Sequence, residues 1–231
     1  MKQILSIAAM ALLCASCFHV NTNYKGVFLS KNAIKGEGAV ISKSFDLKDF
    51  NAIRVNGQAD VVFRQSDTYE VTLRTQENIF DYVDFRVEGS TLILELKDRQ
   101  TAAAEEYDVT VMAPSLKKLE VNGSGDVKIP AGLKSDDDFT VEVNGAGDLD
   151  FTMINCNALI IRANGASDVD ANGLDVQKVD IQVNGAGDVE LSGKAGSADL
   201  NVNGAGDIDA TRLTVAGEVK KHAAGIARIR M

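Results

Sequence analysis

The chain has no tryptophan, two prolines, two histidines and three cysteines among 231 residues, and aromatics make up 6%. Each scarcity excludes something. Hydrophobic residues reach 45%, enough for a sizeable core, but with so few aromatics that core must be built from small and β-branched side chains. Histidine is missing where chemistry would need it. His19 lies near the N-terminus and His222 near the C-terminus, so a nucleophile has no positioned base. There is no HExxH, no Cys/His cluster and no phosphate-binding glycine loop. Positive charge is also short, with a formal net charge of −9. Such a surface does not attract nucleic acid or an anionic membrane face, and it favours solubility.

The one long apolar run is "ILSIAAMALL", which follows Lys2 and precedes "CASC". It reads as a signal peptide over residues 1–16, too short for a stable membrane span. Small Ala15 and Ser16 before Cys17 resemble a bacterial lipobox, although Cys14 stands where such motifs usually carry leucine. The resemblance implies acylation of Cys17. The protein would then hold to the membrane through its lipid, as an outer-membrane lipoprotein facing the periplasm or the cell surface. An ordinary secretory signal with an odd cysteine is the plainer alternative. Residues 17–35 read as a tether. Only Cys156 then remains, so no internal disulfide forms; its apolar context, "MINCNALII", suits a small buried hydrophobe.

What the chain has in abundance is glycine, 20 residues, and much of it recurs on a period. An Asn-Gly element begins at Asn122, Asn144, Asn164, Asn184 and Asn203, in steps of 22, 20, 20 and 19. In full the corners are Asn122, Gly123 and Gly125; Asn144, Gly145 and Gly147; Asn164 and Gly165; Asn184, Gly185 and Gly187; Asn203, Gly204 and Gly206. A looser copy, "VNGQADV", starts at Val55. Asn56 precedes Asn122 by 66 residues, three steps of 22, so the period can continue through the middle of the chain. Apolar residues alternate with polar ones on both sides of each Asn-Gly, in the same phase in every copy. Ile53, Leu119, Val141, Ile161, Ile181 and Leu200 form one set; Val61, Val127, Leu149, Val169, Val189 and Ile208 form another.

Period-two alternation around a turn means strand, turn, strand. A hairpin fits a single copy. The constant phase and the near-constant step fit a coil of a β-helix better, with about 20 residues per coil and Asn-Gly at its corner. Glycine turns such a corner without steric cost, and Asn tolerates left-handed backbone. At that period residues 45–225 give roughly nine coils. The regular repeats cover 119–210. Stretch 76–85 reads as a short helix or long turn, and 97–106 and 134–138 as exposed excursions. Residues 211–231 read as an irregular cap on the last open edge.

"FDLKDFNAIRVNGQADVVF", then "VEGSTLILEL", then the series "VNGSGDV", "VNGAGDL", "VNGAGDV" and "VNGAGDI" resemble the head GIN domain family of Bacteroidetes-type bacteria. The resemblance covers about residues 36–225 and makes 36–231 a single domain. It implies an all-β, right-handed parallel β-helix similar to that of pectate lyases, with the glycines at corners, and an adhesion role. It supplies no catalytic residues. One copy departs, with Ala163 for Val and Ser167 for Gly.

Two functional classes follow. The first is a non-catalytic binding or structural module on the cell envelope, with a polysaccharide or protein ligand, and compatible with self-association. The second is a carbohydrate-active enzyme of the pectate-lyase-like type, using a carboxylate pair. The acids recur in register like a structural repeat, which favours the first. They form two columns, Asp148, Asp168, Asp188 and Asp207 beside Asp150, Asp170, Glu190 and Asp209. Stacked like charges repel, so something must offset them. Either the first column caps corner N–H groups while water screens the second, or the strip recruits Ca²⁺ or a cationic partner. No other cofactor is implied.

Overall fold

In-phase alternation with a fixed step demands parallel pairing between successive repeats, and that is how the chain folds. The computed structural model describes residues 33–231; segment 1–16, Cys17 and most of the tether 17–35 lie outside the described residues. Strands Lys118–Gly123 and Phe139–Gly145 pair in parallel, Val121 opposite Val143 and Asn122 opposite Asn144. The same register continues to 159–165, 179–185 and 198–204. Past the corner, a second ladder stacks Val127–Ile129, Leu149–Thr152, 169–171 and 189–190. A shorter third ladder links 154–158, 175–178, 194–197 and 212–215. The result is a β-solenoid of about six turns with about 20 residues per turn. Parallel registers rule out a hairpin at the Asn-Gly elements, since a two-residue turn can only join antiparallel strands.

The apolar columns face inward. Ile53, Leu119, Val141, Ile161, Ile181 and Leu200 are at most 1% exposed, as are Val61, Val127, Leu149, Val169, Val189 and Ile208. Each such burial contributes about 1.5–3 kcal/mol, and β-branched side chains suit a pleated surface with a stiff χ1. Phe50, Phe63, Phe139 and Phe151 are the buried phenylalanines of the core, and Phe139 meets Phe151 edge-on at 5.7 Å. Cys156 is buried, and burial pushes its thiol up to about 11. At neutral pH it is an inert core residue.

The ends differ from expectation. Asn56 and Asn122 lie opposite each other in adjacent strands, one coil apart and not three. Residues 66–117 break the sequential order of the coils after Asp60–Gln65 and build the N-terminal end of the solenoid, so the coils number fewer than nine. Thr91–Leu94 pairs in parallel with Ala52–Gly57, and Tyr107–Ala113 with Asp60–Gln65. This coil is later in sequence but lies before the first in space. Antiparallel strands Glu70–Gln76, Val40–Phe45 and Arg86–Glu88 extend that end further. They cover an edge that would otherwise present unpaired backbone.

Stretch 76–85 forms a 3₁₀ helix, Glu77–Tyr82, with Ile79 buried. Stretch 97–106 is not simply exposed: Ala102 is fully buried, and Ala102–Ala103 pairs with Ile34–Lys35. Ile34 and Lys35 therefore belong to the fold and not to the tether. At the other end, residues 211–231 are not irregular. Val219–Gly225 continues the first ladder on 198–204, and Arg228–Arg230 the second on 207–209.

Candidate functional site: the stacked corner and its acidic strip

The corner begins with the first glycine of each element. Gly123, Gly145, Gly165, Gly185 and Gly204 have φ between 148° and 157°, at the edge of the region that favours glycine. Space matters as much. A Cβ on Gly145 would lie 1.8 Å from the carbonyl oxygen of Gly123 in the coil below, and one on Gly185 would lie 1.9 Å from that of Gly165. That oxygen is in use: the N–H of Ala146 donates to Gly123 O at 2.9 Å, and Ala186 N–H to Gly165 O at 2.9 Å. The second glycine has no unusual φ, yet a Cβ on Gly187 would meet Ser167 O at 2.0 Å. Close coil-to-coil approach, more than turning, is what fixes glycine there.

The asparagines have a different task from the one their turn propensity suggests. None has a positive φ. Their side chains instead form a ladder along the rod. The Nδ2 of Asn122 donates to Oδ1 of Asn56 at 3.0 Å, and the relay continues through Asn144, Asn164, Asn184 and Asn203 at 2.9–3.2 Å. All the amides point the same way, so their dipoles add. The donor end terminates correctly, on a carboxylate: Asn56 Nδ2 donates to Glu95 Oε2 at 2.6 Å. Glu95 is pushed up by burial, but the Asn56 and Arg86 contacts outweigh this and hold it below the usual carboxylate range. Glu95 comes from the N-terminal excursion, and nothing in the repeat pattern points to it.

The first aspartate column is a second relay. Asp60 Oδ1 accepts the N–H of Asp126, Asp126 that of Asp148, Asp168 that of Asp188 and Asp188 that of Asp207, at 2.8–3.1 Å. Four carboxylates are thus acceptors for backbone groups of the next coil. Among the described residues, Asp168 N–H makes no such bond to Asp148. The break coincides with Ser167 in the place of the second glycine; its hydroxyl is buried without a partner. Asp148, lacking that donor, is held above the usual range by burial and by the charges of Asp126, Asp168 and Asp170.

The second column, Asp150, Asp170, Glu190 and Asp209, is in register and points outward. Asp170 is also raised, by burial and by Glu190 and Asp150. Cations offset the column at its ends. Lys128 precedes Asp150 in register. Arg212 meets Glu190 at 2.9 Å, and Arg230 meets Asp209 at 3.4 Å and Asp207 at 3.7 Å. All eight acids singled out in the sequence therefore lie on one strip. Among the described residues, no group of three or more His, Cys, Asp or Glu side chains converges as a metal site would require.

Chemically this is a scaffold in which repeated polar side chains hold coil to coil. His222 is exposed on the last coil, opposite Asn201 in the first ladder and not in the second ladder that carries the strip. Among the described residues, no helix is long and apolar enough to cross a membrane.

These features define a class: a β-solenoid head domain whose repeated motif is structural. The family follows. The chain belongs to the one described as "Putative auto-transporter adhesin, head GIN domain", matched over residues 49–231. Comparison with curated proteins gave no match. Among solved structures, a "putative adhesin" from Bacteroides fragilis is similar, with TM-score 0.69 and 19% identity over 86% of this chain and 99% of that one. One from Parabacteroides distasonis gives TM-score 0.70 and 19% identity over 86% and 99%. A "putative lipid binding protein" from the same species gives TM-score 0.53 and 19% identity over 86% and 100%. At these identities the likeness speaks for the fold.

Proposed function

We propose that this protein is a non-catalytic binding module, an adhesion head held on the cell envelope by lipid on Cys17. The observation that carries this reading is the use made of the repeated polar residues. Asn56 through Asn203 and most of the first aspartate column spend their hydrogen bonds on neighbouring coils, which leaves a rigid rod with no acid–base pair. The family description and the names of the similar structures support the same reading. The enzyme alternative needs one acid protonated and a second ionised across a substrate, whereas the strip acids lie side by side in register along one face.

Two experiments test it. Cys17→Ser should move the protein from the membrane fraction to the soluble one; retention on the membrane, with release by Cys14→Ser instead, would assign the lipid to the other cysteine. Protease treatment of intact cells should remove the head domain. Full protection would place it facing the periplasm and end the adhesion reading.

A further inference from the structure

The geometry points to the last coil as a docking edge for an extended, acidic segment of another protein. This rests on the binding-module reading and gives it a location and a partner chemistry. Val219–Gly225 pairs with 198–204 on one side, and Arg228–Arg230 with 207–209. On their other side neither strand pairs with any described residue. Among the described residues, the outward N–H and C=O groups of these strands are therefore unpaired, where the N-terminal end has added antiparallel strands to cover its own.

Charge changes sign at the same place. Residues 211–231 carry Arg212, Lys220, Lys221, Arg228 and Arg230 against a single acid, Glu218, whereas in residues 33–210 the acids outnumber the bases two to one. The switch is in register. Asp207 and Asp209 are followed in their columns by Arg228 and Arg230. The column that buries Leu119, Val141, Ile161, Ile181 and Leu200 ends in Lys221. Ile226 adds an apolar contact at the corner, 84% exposed.

The same features argue against a second copy as the occupant. Stacking an identical end here would set Lys220, Lys221, Arg228 and Arg230 against themselves and close a core over the Lys221 ammonium, which is costly without a counter-charge. An acidic strand removes both objections. Its backbone pairs with the open edge, and its carboxylates face the cations, the strand-addition mode of peptide recognition. Selectivity then comes from repulsion of the wrong partner as well as attraction of the right one.

The probe is a fluorescent peptide of alternating Glu and Thr, about nine residues long, added to the lipid-free head domain. Binding is read by anisotropy, and protection of the 219–225 amides by hydrogen exchange. The acidic peptide should bind, protect those amides, and lose about tenfold in affinity, or 1.4 kcal/mol, on Lys220→Glu/Lys221→Glu. Both lysines are exposed, but Lys220 lies opposite Asp199 and 3.4 Å from Glu218, so a Lys220→Gln/Lys221→Gln variant, which adds no like-charge contact, should melt close to the parent and still bind the acidic peptide more weakly. A Gln-for-Glu peptide and an N-methylated acidic peptide should bind at least tenfold more weakly. Equal binding of the N-methylated peptide, absence of protection at 219–225, or preference for phosphatidylglycerol vesicles would overturn the proposal, as would end-to-end association of the protein in sedimentation. If cell-surface exposure holds while the peptide fails, the docking edge is wrong and the adhesion reading stands.

Discussion

At the scale of single residues, the corner glycines divide by mechanism. Gly57 opens the stack; its φ is +124°, but a Cβ there would meet nothing within 4 Å. Gly187 has an ordinary φ, yet its Cβ would lie 2.0 Å from Ser167 O and 3.0 Å from Ser167 N. Gly57→Ala should therefore cost only the conformational strain, about 1–2 kcal/mol. Gly187→Ala should cost more than about 3 kcal/mol, because two backbones must separate. Thermal melts of both variants check this. Equal losses would mean that the close approach at Gly187 relaxes cheaply and that stacking distance does not fix the motif. The sequence marks all these positions alike, because it shows recurrence but not which atom lies overhead.

At the scale of the element, two aspartates of the first column, Asp148 and Asp188, carry opposite electrostatic costs. Asp148 accepts no backbone N–H among the described residues and lies close to Asp126, Asp168 and Asp170. Asp148→Asn should stabilise the protein by a few tenths of a kcal/mol, about 0.3, at low salt, and the gain should shrink as salt rises. Its pH dependence has a definite sign. A carboxyl raised in the folded state penalises folding above its folded pKa, and the penalty vanishes below the unfolded value of 3.8. The variant's advantage should be full at neutral pH and disappear below about pH 4. Asp188→Asn gives the contrast, since Asp188 Oδ1 accepts the N–H of Asp207 at 2.8 Å and an amide is a weaker acceptor there. Chemical denaturation across pH and salt distinguishes the pair; an advantage for Asp148→Asn that persists at low pH would refute the charge argument.

At the scale of the whole molecule, the strip is balanced at its ends. Arg74 meets Asp108 at 3.7 Å where the first column starts, and Arg212 and Arg230 close the last coils. Asp60, Asp126, Asp168 and Asp188 accept backbone N–H groups of the next coil, and we propose that this capping, with screening by water, offsets the strip without an ion. The thermal midpoint should be the same in millimolar Ca²⁺ and in chelator. A ligand that binds only the native state must raise it, so a clear rise with Ca²⁺ would favour the cation reading instead.

The sequence by itself determined the repeating unit. Small or branched apolar residues at every second position, in one phase across five copies, can bury only one face, and a parallel stack is the arrangement that buries the same face in every copy. The inward columns and the acidic strip followed from the same periodicity. Tertiary structure alone decided the rest, because it depends on contacts between residues far apart in the chain. The 66-residue gap between Asn56 and Asn122 divides evenly into periods, yet the two asparagines are neighbours; strand pairing, not arithmetic, shows where an excursion folds back to cover an end. The asparagine relay and its stop at Glu95 arise only once coils are stacked in register. The last coil looked irregular because Lys221, Ala224 and Arg228 replace the repeat's side chains, while its backbone hydrogen bonds, which do not depend on side-chain identity, kept the register.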